Sequence, residues 1–116
     1  MTAAVFLLAA SIAAPLTGAD VRRVLKAHKT EVQECYDGWL RGLDKSPGER
    51  TVKVSFEVLR TGRPQSVELS EWSDTPFGEC VRAKVRRWRF PRHDGPDPAA
   101  VVLPFRLLPK GPAAAP

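Results

Sequence analysis

Several chemistries leave no trace in this chain. There is no GxxxxGK loop to cradle a phosphate and no GxSxG nucleophile elbow. Cys35, Cys80, His28 and His93 show neither CxxC nor HxxxH spacing, so the four ligands of a zinc site do not assemble. His28 and Cys35 share a helix face, but seven residues separate them by roughly 10 Å along the axis. That is beyond hydrogen-bond reach and excludes a Cys-His nucleophile pair. The carboxylates of Glu68 and Glu71 read as solvated charges. No enzyme, metal or cofactor is expected.

Charge is missing from the first nineteen residues, MTAAVFLLAASIAAPLTGA. Ala3 to Leu16 is mainly apolar, which has the form of a signal-peptide core. It is short of the ~20 residues that a spanning helix needs, and Pro15 and Gly18 interrupt it before the first charge at Asp20. Thr17 and Ala19 are small residues of the kind that precede a cut. No Lys or Arg stands near Met1, so an uncleaved anchor is the competing expectation, with a buried N-terminal helix or strand behind it. Residues 1–19 are therefore expected as a signal peptide or short anchor, and residues 20–108 as one domain. The predicted location is the periplasm or cell envelope.

With 43% hydrophobic and 27% charged residues, the remainder is an ordinary globular composition. From Asp20 to Leu43 the apolar positions Val21, Val24, Leu25, Val32, Cys35, Tyr36, Trp39, Leu40 and Leu43 recur at steps of three and four, with His28 filling the gap. This predicts a long amphipathic helix with Asp20 as N-cap. Gly38 and Gly42 weaken its last turns, and Pro47-Gly48 closes it. In Thr51 to Leu59, Val52, Val54, Phe56 and Val58 alternate with Lys53, Ser55 and Glu57, the period of a strand with one wet face. A turn containing Gly62 and a second run through Val67 and Leu69 complete a hairpin. Thr75 and Pro76 start a second helix, cap and first position respectively, running to about Trp88. Pro91 to Ala100 is a loop. Val101 to Leu107 is a last strand whose inward series is Val101, Leu103, Phe105 and Leu107, and Pro104 assigns it to a sheet edge. The tail, residues 109–116, is low-complexity and expected to be disordered.

The order helix, strand, strand, helix, strand predicts an α+β fold, two helices on one face of a three-stranded antiparallel sheet whose central strand is the first. Six cations and no acid fall between Val81 and His93 in a chain of net charge +5. Val81, Val85 and Trp88 face the core on this helix, which leaves Arg82, Lys84, Arg86, Arg87 and Arg89 as its solvated side. Cations in the last turns also complement the negative helix end. Without a docking motif or interleaved exposed aromatics, no nucleic-acid partner is expected. Trp72 falls off the inward parity of the hairpin and is expected to pack over the start of the second helix. Cys35 and Cys80 lie on the buried faces of the two helices, and those faces meet if both cover one side of the sheet. In an oxidising compartment a Cys35–Cys80 disulfide is the expectation, with two buried thiols as the alternative.

Taken together, CYDGWL, the hairpin TVKVSFEVLRTGRPQSVELSE, GECVRAKVRRWRFPR and VVLPFRLL resemble the AgmX/PglI-type C-terminal domain. That domain is a relative of the TonB C-terminal domain and occurs in gliding-motility and other envelope proteins of myxobacteria. The likeness covers about Val21 to Leu108 and is most specific at Cys35-Tyr36, Cys80, Trp88 to Pro91 and Pro104-Phe105. The TonB-type YP signature is absent, and the turn reads TG where DG or NG is usual. The resemblance implies a protein-binding module that receives an extended peptide along a sheet edge. The candidate edge residues are Val101, Val102, Leu103, Phe105, Arg106 and Leu107, and the partner class is an envelope protein or peptide. A stapled structural or accessory envelope protein and a thiol-redox sensor using Cys35 and Cys80 stand as alternatives.

Overall fold

A computed structural model describes residues 14–45 and 47–109. Residues 1–13 of the expected leader, 1–19, and residues 110–116 of the expected tail, 109–116, lie outside the described residues. The element order is α1 (Gly18–Leu40), β1 (Arg50–Val58), β2 (Pro64–Leu69), α2 (Pro76–Arg87) and β3 (Ala99–Leu107). The strands form one antiparallel sheet in the order β2-β1-β3, so the first strand is central. This is the predicted α+β arrangement.

Local chemistry sets the helix ends. At α2, Thr75 is the N-cap: its Oγ1 accepts the Gly78 N–H at 3.2 Å, and Pro76 follows at the first position, as expected. At α1 the expected cap is corrected. Thr17, not Asp20, caps the helix: its Oγ1 accepts the Asp20 N–H at 3.1 Å, and Asp20 Oδ2 accepts the Thr17 N–H at 3.0 Å. This reciprocal pair satisfies two otherwise orphaned donors, which Asp20 as cap would not do. The helix also ends earlier than expected, at Leu40. Beyond it the Gly42 and Leu43 N–H groups reach back only three residues, to Trp39 and Leu40, in a tightened final turn.

The hairpin is not a plain alternation. Ser55 pairs with Glu68 but Glu57 pairs with Gln65, so Phe56 alone faces two residues of β2. The extra residue is Ser66, in the left-handed region at φ 56°. This bulge shifts the parity, so Pro64 rather than Gln65 points inward with Val67 and Leu69. By contrast β1 and β3 pair without interruption from Arg50↔Leu107 to Val58↔Ala99.

Both helices cover one face of the sheet, with α2 against β2 and α1 towards β3. Val52, Val54, Phe56 and Val58 of β1 meet Val101, Leu103, Phe105 and Leu107 of β3 beneath Val32, Tyr36, Phe77, Val81 and Val85 of the helices, all buried. Each such side chain contributes about 1.5–3 kcal/mol on leaving water. Lys53, Glu68, Val102 and Arg106 lie on the opposite, solvated face.

The segment after α2 is tied to the hairpin turn. Gly62, at φ 91°, donates its N–H to Leu59 and accepts the Phe90 N–H at 2.9 Å on its own carbonyl. A methyl group built on Gly62 would overlap the Phe90 carbonyl, so both the angle and the close approach require glycine. Arg60 extends the tie: its N–H donates to Asp97 Oδ1 and its Nε to the Gly95 carbonyl.

Candidate functional site

Two places on this framework carry chemistry beyond packing: the seam between the helices and the outer edge of β3. At the seam, Cys35 of α1 and Cys80 of α2 form a disulfide with Cα atoms 5.7 Å apart, the predicted pairing. Cys35 is buried, whereas Cys80 is half-buried. An open groove of about 210 Å³ lies beside the bridge, walled by Glu34, Gly38, Trp39 and Pro76.

An aromatic cluster continues the seam at one end. The Tyr36 ring stacks on Trp72 at 5.8 Å and meets Phe77 edge-on at 5.8 Å, while Trp39 approaches Trp72 at 5.0 Å. Trp72 also meets Phe77 edge-on at 5.9 Å and so packs over the start of α2, as expected, although it falls off the inward parity of the hairpin. Arg50 lies over its ring, 6.0 Å from the centroid. Burial raises the Tyr36 phenol above its ordinary value, and its O–H donates to the Gly48 carbonyl.

At the other end sits His28. Its Nδ1–H donates to Glu31 Oε2 at 2.8 Å, and its ring stacks on Trp88 at 5.3 Å. Burial pushes the Glu31 carboxyl up, but hydrogen bonds from His28 and Trp88 outweigh it and leave the group below its ordinary value.

One buried polar residue gave no signal in the sequence. His93 is 4% exposed in the segment before β3. Its Nδ1 accepts the Gly95 N–H at 3.2 Å, which places the proton on Nε2, and Nε2–H donates to the Val58 carbonyl at 3.2 Å. His93 thus closes the end of the β1 ladder. No periodicity marks it, because it lies in irregular chain and its partner is 35 residues away.

The parity of the β3 edge follows from β1. Lys53 exchanges backbone hydrogen bonds with Ser70, its N–H to Ser70 Oγ and its carbonyl to the Ser70 N–H, so its backbone faces β2. Val52, Val54, Phe56 and Val58 then face β3, since successive residues of a strand turn their backbone groups to opposite sides. Their partners Phe105, Leu103, Val101 and Ala99 are committed to β1. Ala100, Val102, Pro104 and Arg106 turn outward, and Pro104 occupies a position where the missing N–H costs the sheet nothing.

Of the candidate edge residues, then, Val102 and Arg106 present both backbone groups to the outside. Val101, Leu103, Phe105 and Leu107 contribute buried side chains and inward backbone. The next outward carbonyl, Leu108, already accepts Gln33 Nε2 from α1 at 3.0 Å. Two open grooves, of about 320 and 350 Å³, follow this edge between β3 and α1. Lys29 and Arg106 line the first and Arg22 the second, with no carboxylate in either lining. Arg106 is held by Glu49, whose hydrogen bond raises the guanidinium further above its ordinary value.

Among the described residues no three His, Cys, Asp or Glu side chains gather as a metal site, and no helix is long and apolar enough to cross a membrane.

Fold and site together define a small α+β module with a covalent seam between its helices and β3 at an edge of its sheet. Over 86 residues, 74% of the chain, it is 28% identical to the tyrosine-protein kinase MasK of Myxococcus xanthus (strain DK1622). The match spans 13% of that relative's length. No family model and no solved structure matches the chain.

Proposed function

We propose that this domain is a non-catalytic structural or accessory module of an exported envelope protein, held in shape by the Cys35–Cys80 bridge. The observation that carries the reading is the bridge itself, which locks two helices across the core of a small domain. Closing a loop of this length stabilises the fold by about 4 kcal/mol through the unfolded chain. A persistent bridge also suits an oxidising compartment. The test compares the oxidised protein with a Cys35→Ala/Cys80→Ala variant in urea denaturation. A loss of about 4 kcal/mol is expected, and equal stability would remove the staple from the explanation. Recovery of two free thiols from exported protein would refute the oxidised state.

The likeness to MasK supports a portable module rather than a kinase function. The shared stretch is 13% of that protein. This chain moreover has no two glycines in the G-x-G spacing with which kinases cover ATP phosphates. The α-β-β-α-β order with β3 at an edge supports the AgmX/PglI-type, TonB C-terminal-like reading, and the myxobacterial source of MasK agrees with it.

A second reading is favoured by the β3 edge: capture of an extended peptide by strand addition. The outward groups of Ala100, Val102 and Arg106 supply a ladder, with only a carbonyl at Pro104. The grooves beside α1 have room for alternate side chains, and Lys29 and Arg22 in their linings favour a peptide bearing carboxylates.

A further inference from the structure

We propose that the end of the domain where the hairpin turn meets the close of α2 docks on the anionic headgroups of a lipid bilayer. Short contacts gather separate parts of the chain there. The Gly62 carbonyl accepts the Phe90 N–H at 2.9 Å, and the Arg60 carbonyl accepts the His93 N–H at 3.1 Å. Arg60, Arg63, Arg86, Arg87, Arg89 and Arg92 therefore share one end of the fold, and all of them are exposed. The start of α1 closes on the same end, since the Ala14 carbonyl accepts the Asp94 N–H at 3.2 Å and His28 stacks on Trp88. It adds Arg22, Arg23 and Lys26, also exposed.

Neutralisation at this end is slight. Among the described residues, Arg23 alone of these cations makes an ion pair, with Asp20. Asp20, Glu31, Glu57, Asp94 and Asp97 are the acids of this end, too few to balance it. At the opposite end Asp44, Glu49, Asp74 and Glu79 answer Arg41, Lys45 and Arg50, so the excess of the chain's net charge of +5 lies at the first end. A field concentrated in this way orients the domain towards an anionic surface. The chemistry of the face selects lipid over nucleic acid. Trp88 and Phe90, the aromatics interleaved with its arginines, are 1% and 6% exposed, so neither ring is free to stack on a base. The cations spread over a helix end, a turn and a loop, which suits a diffuse layer of headgroups. Among the described residues the exposed large apolar side chains, Leu43, Val102 and Leu108, lie elsewhere, so adhesion is electrostatic and involves no insertion.

The experiment mixes the full chain with vesicles of phosphatidylglycerol and phosphatidylcholine, or of phosphatidylcholine alone, and measures cosedimentation. Binding to the anionic vesicles only is expected, and its loss at about 1 M salt, where the Debye length is about 3 Å. Arg86→Gln/Arg87→Gln/Arg92→Gln should weaken that binding about 100-fold, at roughly fivefold for each cation near an anionic surface. Arg41→Gln/Lys45→Gln/Lys53→Gln removes the same charge from the far end and the sheet face, and should bind like wild type. Matching losses in the two variants would reduce the effect to net charge and overturn the assigned face. Equal binding to neutral vesicles, or none to anionic ones, would overturn electrostatic docking. Retardation of duplex DNA without vesicle binding would assign the face to nucleic acid instead.

Discussion

Glu31 on α1 and Trp88 at the end of α2 are joined by a hydrogen bond, the indole Nε1–H donating to Oε1 at 3.0 Å across the helix seam. The Trp88 side chain is 1% exposed, so this carboxylate is what satisfies its N–H. With the disulfide, the contact holds the helices at a second point, and the other Glu31 oxygen is engaged by His28.

Replacing Glu31 by Ala leaves a buried indole donor unpaired and is expected to cost about 1–3 kcal/mol in urea denaturation. The pH dependence has a definite sign. Because the folded protein holds the Glu31 pKa below its ordinary 4.5, the stabilisation is fully present above that value and is lost as pH falls through the folded pKa. Glu31→Gln keeps an acceptor for Trp88 but removes the charge, so it should flatten the acid limb of stability against pH. An unchanged acid limb would show that the ionised state of Glu31 contributes nothing.

Thr17→Ala removes the side-chain half of the capping box and should cost about 1 kcal/mol. Thr17→Ser keeps the hydroxyl and should be close to wild type. Amide exchange in the first turn of α1 resolves the effect: protection should fall there in the alanine variant and not in β1. Equal protection in all three proteins would mean the cap is not formed in solution.

Gly62→Ala tests the join between the hairpin turn and the Phe90 segment. Left-handed strain of about 1–2 kcal/mol adds to steric overlap of about 1–3 kcal/mol, giving an expected loss of roughly 2–5 kcal/mol. Gly48, at φ 82° with open space around it, should lose only the strain. Similar losses at the two positions would argue that the turn does not press on the Phe90 carbonyl.

Proline substitution separates the two sides of β3. Val102→Pro removes an N–H that faces away from β1, so the fold should persist, while capture of any extended peptide at this edge should be lost. Leu103→Pro removes an N–H directed at Val54 and should unfold the domain or cost at least about 3 kcal/mol, by thermal denaturation. A destabilised Val102→Pro beside a tolerated Leu103→Pro would invert the derived parity. Retained peptide capture by Val102→Pro would move any binding to another surface.

Much of the fold was legible because its signals are local. The change of period from 3.6 to 2 after Pro47-Gly48, the Thr75-Pro76 start and the Gly62 turn each act within a turn or two of chain. The α1 cap is equally local, since Thr17 and Asp20 are three residues apart. It was misplaced because the uncharged N-terminal run had claimed Thr17 for a leader. The Ser66 bulge escaped because a polar residue in left-handed backbone looks no different in sequence from one in a regular strand.

By itself, the sequence determined the element types, their order and which face of each is apolar. Apolar spacing dictates which side of a helix or strand must leave water, whatever it meets there. Only the tertiary structure decided that the faces bearing Cys35 and Cys80 meet within bonding distance, that His93 closes the Val58 carbonyl, and that Val102 rather than Leu103 offers its backbone to the outside. Those outcomes depend on strand register and on the layering of α1 and α2 over one sheet. They couple Cys35 to Cys80, 45 positions apart, and His93 to Val58, 35 apart, and no local rule reaches so far along the chain.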